Sequence, residues 1–331
     1  PGVQLDIGHD FRIWQGPYRV VLRPRPEDYY YNNIRYEWDI PLFILDNEYS
    51  DTPYGTYEER NRELLEYAAW TKEPNLYGEI AKFELRRWDE IDLDVIHDAI
   101  DRINRRGDCS DFDLVGLLGV MHRTMDEDGF PEALKEPLKS CVLSFKYWHD
   151  EPGSDAMCFT TENHSILFHT CEILAGQLYP DETFSNVGET GAWHREKGER
   201  LARAWLKTRG ATGFREWDSN CYFEEDLLAV NSYKGTFGST HGRTYAPLIK
   251  SGKLESTSSI SRLMWGMGVF NHHLRGAVSM ACSEYEFPLL IANIAADLPD
   301  AMWNRERHVI SENGDEINKV TYKTPDYMLA S

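Results

Sequence analysis

The sequence predicts a mainly α protein, an array of helical hairpins with an extended N-terminal segment and the start of a C-terminal β region. Three observations carry this. Between about Tyr57 and Ala296, apolar residues recur at helical spacing, with acidic first turns and basic or glycine-marked ends. Before it, aromatic and β-branched stretches such as "YYYNNIRYEWDIPLFIL" are broken by Pro and Asn and read as strands and turns. After it, "EINKVTYKTPDYMLAS" begins to alternate as strands do. The expected divisions are residues 1–50 (extended), 51–309 (helical) and 310–331 (β), the last as the opening of a longer β-domain.

In chain order, "YEERNRELLEYAAW", "DLDVIHDAIDRINRRG", "DFDLVGLLGVMHRTM" and "FPEALKEPLKSCVLSFKYW" each fit a helix, joined by short turns. Glu162 to Leu178 is mostly apolar, with Leu167, Cys171, Leu174 and Leu178 on one stripe, so an inward helix is expected. Trp193 to Arg209 carries Glu196 with Arg200 and Glu199 with Arg203 at i, i+4, the mark of a solvated outer helix. Ser219 to Val230 should start another inner helix, capped by Asp218 or Ser219. Inner, outer, inner is one step of an α/α array, in which successive inner helices run parallel and bring their N-termini to one end. The Gly/Ser/Thr-rich segment 231–261 is too long for a simple connector. Helical patterns return at Ile260–Met280 and Glu286–Ala296.

Composition narrows the function. With 331 residues, 41% of them hydrophobic, the chain can bury a large core. Its 55 acidic against 35 basic residues give a net charge of -20, which repels nucleic acid and anionic membrane surfaces, so neither is expected as a partner. No stretch approaches the roughly 20 apolar residues of a membrane span, and the first residues lack a signal peptide's pattern. Six scattered cysteines with no CxxC pair read as free thiols, which slightly favours a cytoplasmic setting. Neither His169 with Cys171 nor His272 with His273 has metal-ligand spacing, so no metal and no cofactor is expected.

The informative stretch is "TTENHSILFHT", Thr160 to Thr170, where Glu162, Asn163 and His164 crowd one helix start. Each has an ordinary reading: a buried amide, a core histidine, a solvated acid. Together, "ENHSILF" resembles the Asn-Asn-His-Ser-aromatic motif of alginate lyases of the α/α-toroid kind. More loosely, Tyr57 to Ala296 is similar to the toroid of heparinase II/III-like polysaccharide lyases. The resemblance implies an α/α toroid, in which Asn163 and His164 serve catalysis, Tyr222 arrives from the next inner helix and Arg215 lies about two turns earlier. The chain departs from the motif in having Glu162 at its first position, and in the loop "HGRTYAP".

That chemistry has a physical logic. β-Elimination from a uronic acid removes the proton at C5, beside a carboxylate, and expels the oxygen at C4. The carboxylate must be neutralised and the enolate-like dianion sheltered, work suited to an amide, an arginine and helix N-terminal N–H groups. Asn163 is the expected neutraliser, with His164 and Tyr222 as base and acid. Glu162, Arg215, His241, Arg243 and Tyr245 are the expected substrate-binding residues, the last three alternating along an extended loop. Arg215 also reads as a salt-bridge partner of Glu216 or Asp218. An acidic carbohydrate is the expected partner. A second reading is a glycoside hydrolase on the same scaffold, drawing paired carboxylates from Glu162, Glu216, Asp218, Glu224, Glu225 and Asp226. A third is a non-catalytic glycan-binding relative.

Overall fold

A computed structural model describes residues 16–22, 38–44, 55–70, 74–212, 259–265, 270, 274–283, 300–309, 316–324 and 328–330. These are mainly helical. An antiparallel hairpin of β1 (Gly16–Leu22) and β2 (Trp38–Ile44) precedes the helices. α1 (Tyr57–Ala69) starts where the sequence demands: the Glu59 N–H donates to Thr56 Oγ1 at 3.2 Å while the Thr56 N–H donates to Glu59 Oε2 at 2.7 Å. This reciprocal cap satisfies two donors that a helix start otherwise leaves open. α2 (Leu76–Glu84) is capped by Asn75 and α3 (Leu93–Asn104) by Asp92. α4 (Ser110–Thr124), α5 (Glu132–Ser144) and α6 (Glu162–Leu178) follow.

The ribbon of β3 (Thr183–Phe184) and β4 (Glu189–Thr190) turns the chain into α7 (Gly191–Thr212). α8 (Ser259–Trp265) and α9 (Arg275–Ala281) pack on α1. β5 (Met302–Val309), β6 (Glu316–Lys323) and β7 (Met328–Ala330) form an antiparallel sheet, so residues 302–309 are already extended. The helical pattern over Glu286–Ala296 lies outside the described residues.

Burial sorts the central helices into two kinds. α2, α4 and α6 are buried around most of their circumference, whereas α3 hides only Ile96, Ala99, Ile100 and Ile103. α2 packs on α4 and α4 on α6, while α3 packs on α4 and α5. The buried helices run parallel, as their cross-links show. Tyr77 Oη donates to Phe112 O at 2.8 Å near the starts of α2 and α4, and Arg123 reaches Glu84 at 2.9 Å near their ends. Between α4 and α6, His164 meets Asp111 at the starts and His122 Nε2 lies 3.0 Å from Leu174 O toward the ends. Three N-termini therefore collect at one end of these helices, while the next inner helix expected at Ser219–Val230 lies outside the described residues.

α7 is the outer partner of α6, and its Glu199 pairs with Arg203 at 3.9 Å and with Arg195 at 2.8 Å. The two helices approach closely because glycine lines the seam. A Cβ on Gly176 would sit 2.3 Å from Gly191 O, and one on Gly198 would sit 3.0 Å from His169 O. Beneath the seam Lys197 Nζ contacts Glu151 at 2.8 Å, Asp150 at 3.0 Å and Glu172 at 3.4 Å, and His194 Nδ1 meets Glu172 at 2.9 Å. Among the described residues, no helix is long and apolar enough to cross a membrane. The described cysteines are all unbridged.

Candidate functional site

The end where α2, α4 and α6 begin gathers the buried polar residues Asp111, Asn163 and His164. His164, in the first turn of α6, is all but buried, and its Nδ1–H faces Asp111 Oδ2 at 2.7 Å. Asp111 lies in the first turn of α4, is fully buried, and its Oδ1 has no partner among the described residues. Phe112 packs against His164 with ring centroids 4.9 Å apart and the rings tilted by 44°, and the exposed Arg275 guanidinium sits 5.5 Å from the centre of the Phe112 ring. The parallel helix starts add partial positive charge at this end, in a chain whose net charge is -20.

The pair is electrostatically coupled. Burial alone would lower the His164 titration, but the hydrogen bond and negative charge of Asp111 outweigh it and hold the imidazole above its ordinary value. Burial raises Asp111 in turn, offset in part by His164. With Nδ1 committed to the carboxylate, Nε2 is the nitrogen left to exchange a proton or ligate an ion. The contact fixes the orientation of the imidazole.

Asn163 and Glu162 take different places from His164. Asn163 is fully buried; its Oδ1 accepts from Thr161 Oγ1 at 3.1 Å, and its Nδ2 has no partner among the described residues. A buried amide with an open donor is costly, and such groups concentrate where a ligand or water completes them. The Glu162 carboxylate meets Arg209 Nη1 at 2.7 Å, and its backbone carbonyl accepts from Trp205 Nε1 at 3.2 Å. Glu162 thus anchors the start of α6 to the end of α7. Cys158, just before this helix, is held below its ordinary thiol value despite the opposing effect of burial, because the Thr160 and Thr161 N–H groups favour the thiolate.

Tyr222, Arg215, His241, Arg243 and Tyr245 lie outside the described residues, as do Glu216, Asp218, Glu224, Glu225 and Asp226. Asp111 and Arg275 are the additions the structure makes. Nothing local in the sequence marks either: Asp111 reads as an ordinary acidic residue of a first turn, and its partner is 53 positions away. No protein-family model matches the chain, and comparisons with curated proteins and with solved structures find no match either.

Proposed function

We propose that this chain is a polysaccharide lyase that cleaves a uronic-acid-containing glycan by β-elimination. Its scaffold would be an α/α toroid in which α2, α4 and α6 are successive inner staves. The observation that carries the reading is the His164–Asp111 pair, set where three helix N-termini converge. In the proposed reaction the C5–H electron pair forms the C4=C5 bond while the C4–O bond breaks. His164 and Tyr222 share the proton traffic, one taking the C5 proton and the other delivering a proton to O4. An imidazole held above its ordinary value suits the acid role near neutrality, which leaves Tyr222 as base; a nearby cation would have to favour its phenolate.

Carboxylate neutralisation falls to the helix starts, Arg275 and Asn163. Arg275 is exposed and has no ion-pair partner among the described residues, so it can meet an anion directly. Asn163 lies deeper, and its amide engages only when the side chains covering it part. His241, Arg243, Tyr245 and Arg215 remain the proposed sugar contacts, with no metal or cofactor in the step. Glu162, already paired with Arg209, serves the scaffold.

The test is incubation with a panel of uronate glycans in the presence of a chelator. Ultraviolet absorbance of an unsaturated uronate supports elimination. New reducing ends without it select the hydrolase, and binding without cleavage selects the non-catalytic relative. His164→Ala and Tyr222→Phe should each abolish product formation, and a fully active variant removes that residue from the mechanism.

A further inference from the structure

Beside the Asp–His pair lie two donors, Asp108 and Cys109, that the proposed elimination does not use. Asp108 and Cys109 end the turn before α4, and a donor atom of each lies within 4.8 Å of the other and of an imidazole nitrogen of His164. Asp108 is exposed, Cys109 is half-buried and His164 is buried, so the set opens to solvent on one side. Cys109 adopts the left-handed backbone region (φ 64°), which places consecutive carboxylate and thiol side chains about one point.

We propose that Asp108, Cys109 and His164 form a binding site for a divalent transition-metal ion of the zinc class, with Asp111 as the positioning residue behind the histidine. The donor types are those zinc prefers: imidazole nitrogen, thiolate sulfur and carboxylate oxygen. Bonds of about 2.0–2.3 Å in a tetrahedron put ligand atoms roughly 3.3–3.8 Å apart, so side-chain rotation of about 1.5 Å or less closes the set. Three protein ligands leave the fourth position to water or an external ligand.

A feature independent of the cluster supports the assignment. Asp111, fully buried, holds Nδ1 at 2.7 Å and so leaves Nε2 as the nitrogen that can ligate, the carboxylate–histidine–metal arrangement that fixes a ligating imidazole. Asp113 is matched by Arg102 at 2.9 Å, so the negative charges that would face the ion are Asp108, Asp111 and the thiol once ionised, with Arg275 and the helix starts opposing them. The Cys109 thiol is pushed up to about 11 by burial and by the nearby Asp108 and Asp111, so ion binding must displace its proton. The other candidate set, Glu151, Glu172 and His194, already holds the Lys197 ammonium, 2.8 Å from Glu151 and 3.4 Å from Glu172, which supplies its cation.

Metal and proton compete for the same Nε2 lone pair. An occupied site therefore silences the proposed elimination, and the ion acts as an inhibitor of that reading. The metal assignment itself stands on binding alone and is tested without activity.

The experiment is titration of the chelator-stripped full chain with Zn2+ by calorimetry, and with Co2+ by absorption spectroscopy. The expected result is one equivalent of Zn2+ with proton release that grows as pH falls below the thiol's value, and a thiolate-to-cobalt charge-transfer band. Cys109→Ser should remove the band, Asp111→Asn should weaken binding by about ten- to hundredfold, and Cys158→Ser should change neither. Asp108→Asn, at an exposed position, keeps the test available if His164→Ala does not fold. No uptake, uptake without the band, or uptake unaffected by Cys109→Ser and Asp108→Asn overturns the proposal. Elimination in chelator that fails while zinc binds would sink only the lyase reading.

Discussion

His164 shows how a neighbour, not the residue itself, sets chemical character. Two buried histidines on α6 are driven in opposite directions: His169, against cationic Lys197 and Arg200, is lowered to about 4 by burial first and those charges second, whereas Asp111 raises His164. Asp111→Asn removes the carboxylate and leaves burial opposed only by the weaker effects of Cys158 and Asp108, so the His164 titration should fall. The imidazole Cε1–H resonance followed against pH checks this, and an unmoved midpoint would show that Asp111 is a bystander. The linkage sign follows from the same shift. A histidine raised in the folded state binds extra protons there, so its stabilisation is full below the unfolded value near 6.5 and is lost as pH rises through the folded one. His169 has the opposite sign, with stability lost as pH falls from about 6.5 toward 4. The Asp111→Asn variant should therefore lose its stability deficit, relative to the parent chain, as pH rises above neutrality.

At the scale of elements, the α6–α7 hairpin positions the site, because α6 carries His164 and α7 fixes where α6 begins. Gly176 permits the approach: its missing Cβ leaves room for Gly191 O, a backbone atom that cannot swing aside. Gly176→Ala should cost about 1–3 kcal/mol as the helices part, lowering Tm by several degrees in calorimetry, whereas an unchanged Tm would mean that the seam is softer than its contacts imply. Amphipathic helices were legible in the sequence, and the expected Glu162–Leu178 matches α6 in extent. α2 was not, because Leu76, Tyr77, Gly78, Glu79, Ile80, Ala81 and Phe83 are all buried, and a helix buried on every side has no polar face to mark its period. The solvated character of α7 was legible from its charges. Glu199 nevertheless holds Arg195 more closely than the expected Arg203, a choice of rotamers that spacing alone does not make.

For the molecule as a whole, the net charge of -20 opposes the approach of a polyanion, while Arg275 and three helix starts attract an anion once it is near. Screening acts mainly on the distant charges, over a Debye length of about 10 Å at 0.1 M salt. Adding salt should thus lower KM for a long uronate polymer and leave a short oligomer nearly unchanged. The reverse order in initial-rate measurements would show that the local field, not the global one, governs encounter. The order of the helices, their caps and the crowding of polar residues at Glu162–His164 were determined by the sequence, because periodicity, capping and turn chemistry act between near neighbours. The meeting of His164 with Asp111, the nearness of Asp108 and Cys109 to the same imidazole, and the ion pair of Glu162 with Arg209 were decided by tertiary structure. Those contacts join residues 47 to 56 positions apart, and only the packing of helices, parallel for α4 on α6 and antiparallel for α6 on α7, brings such positions together.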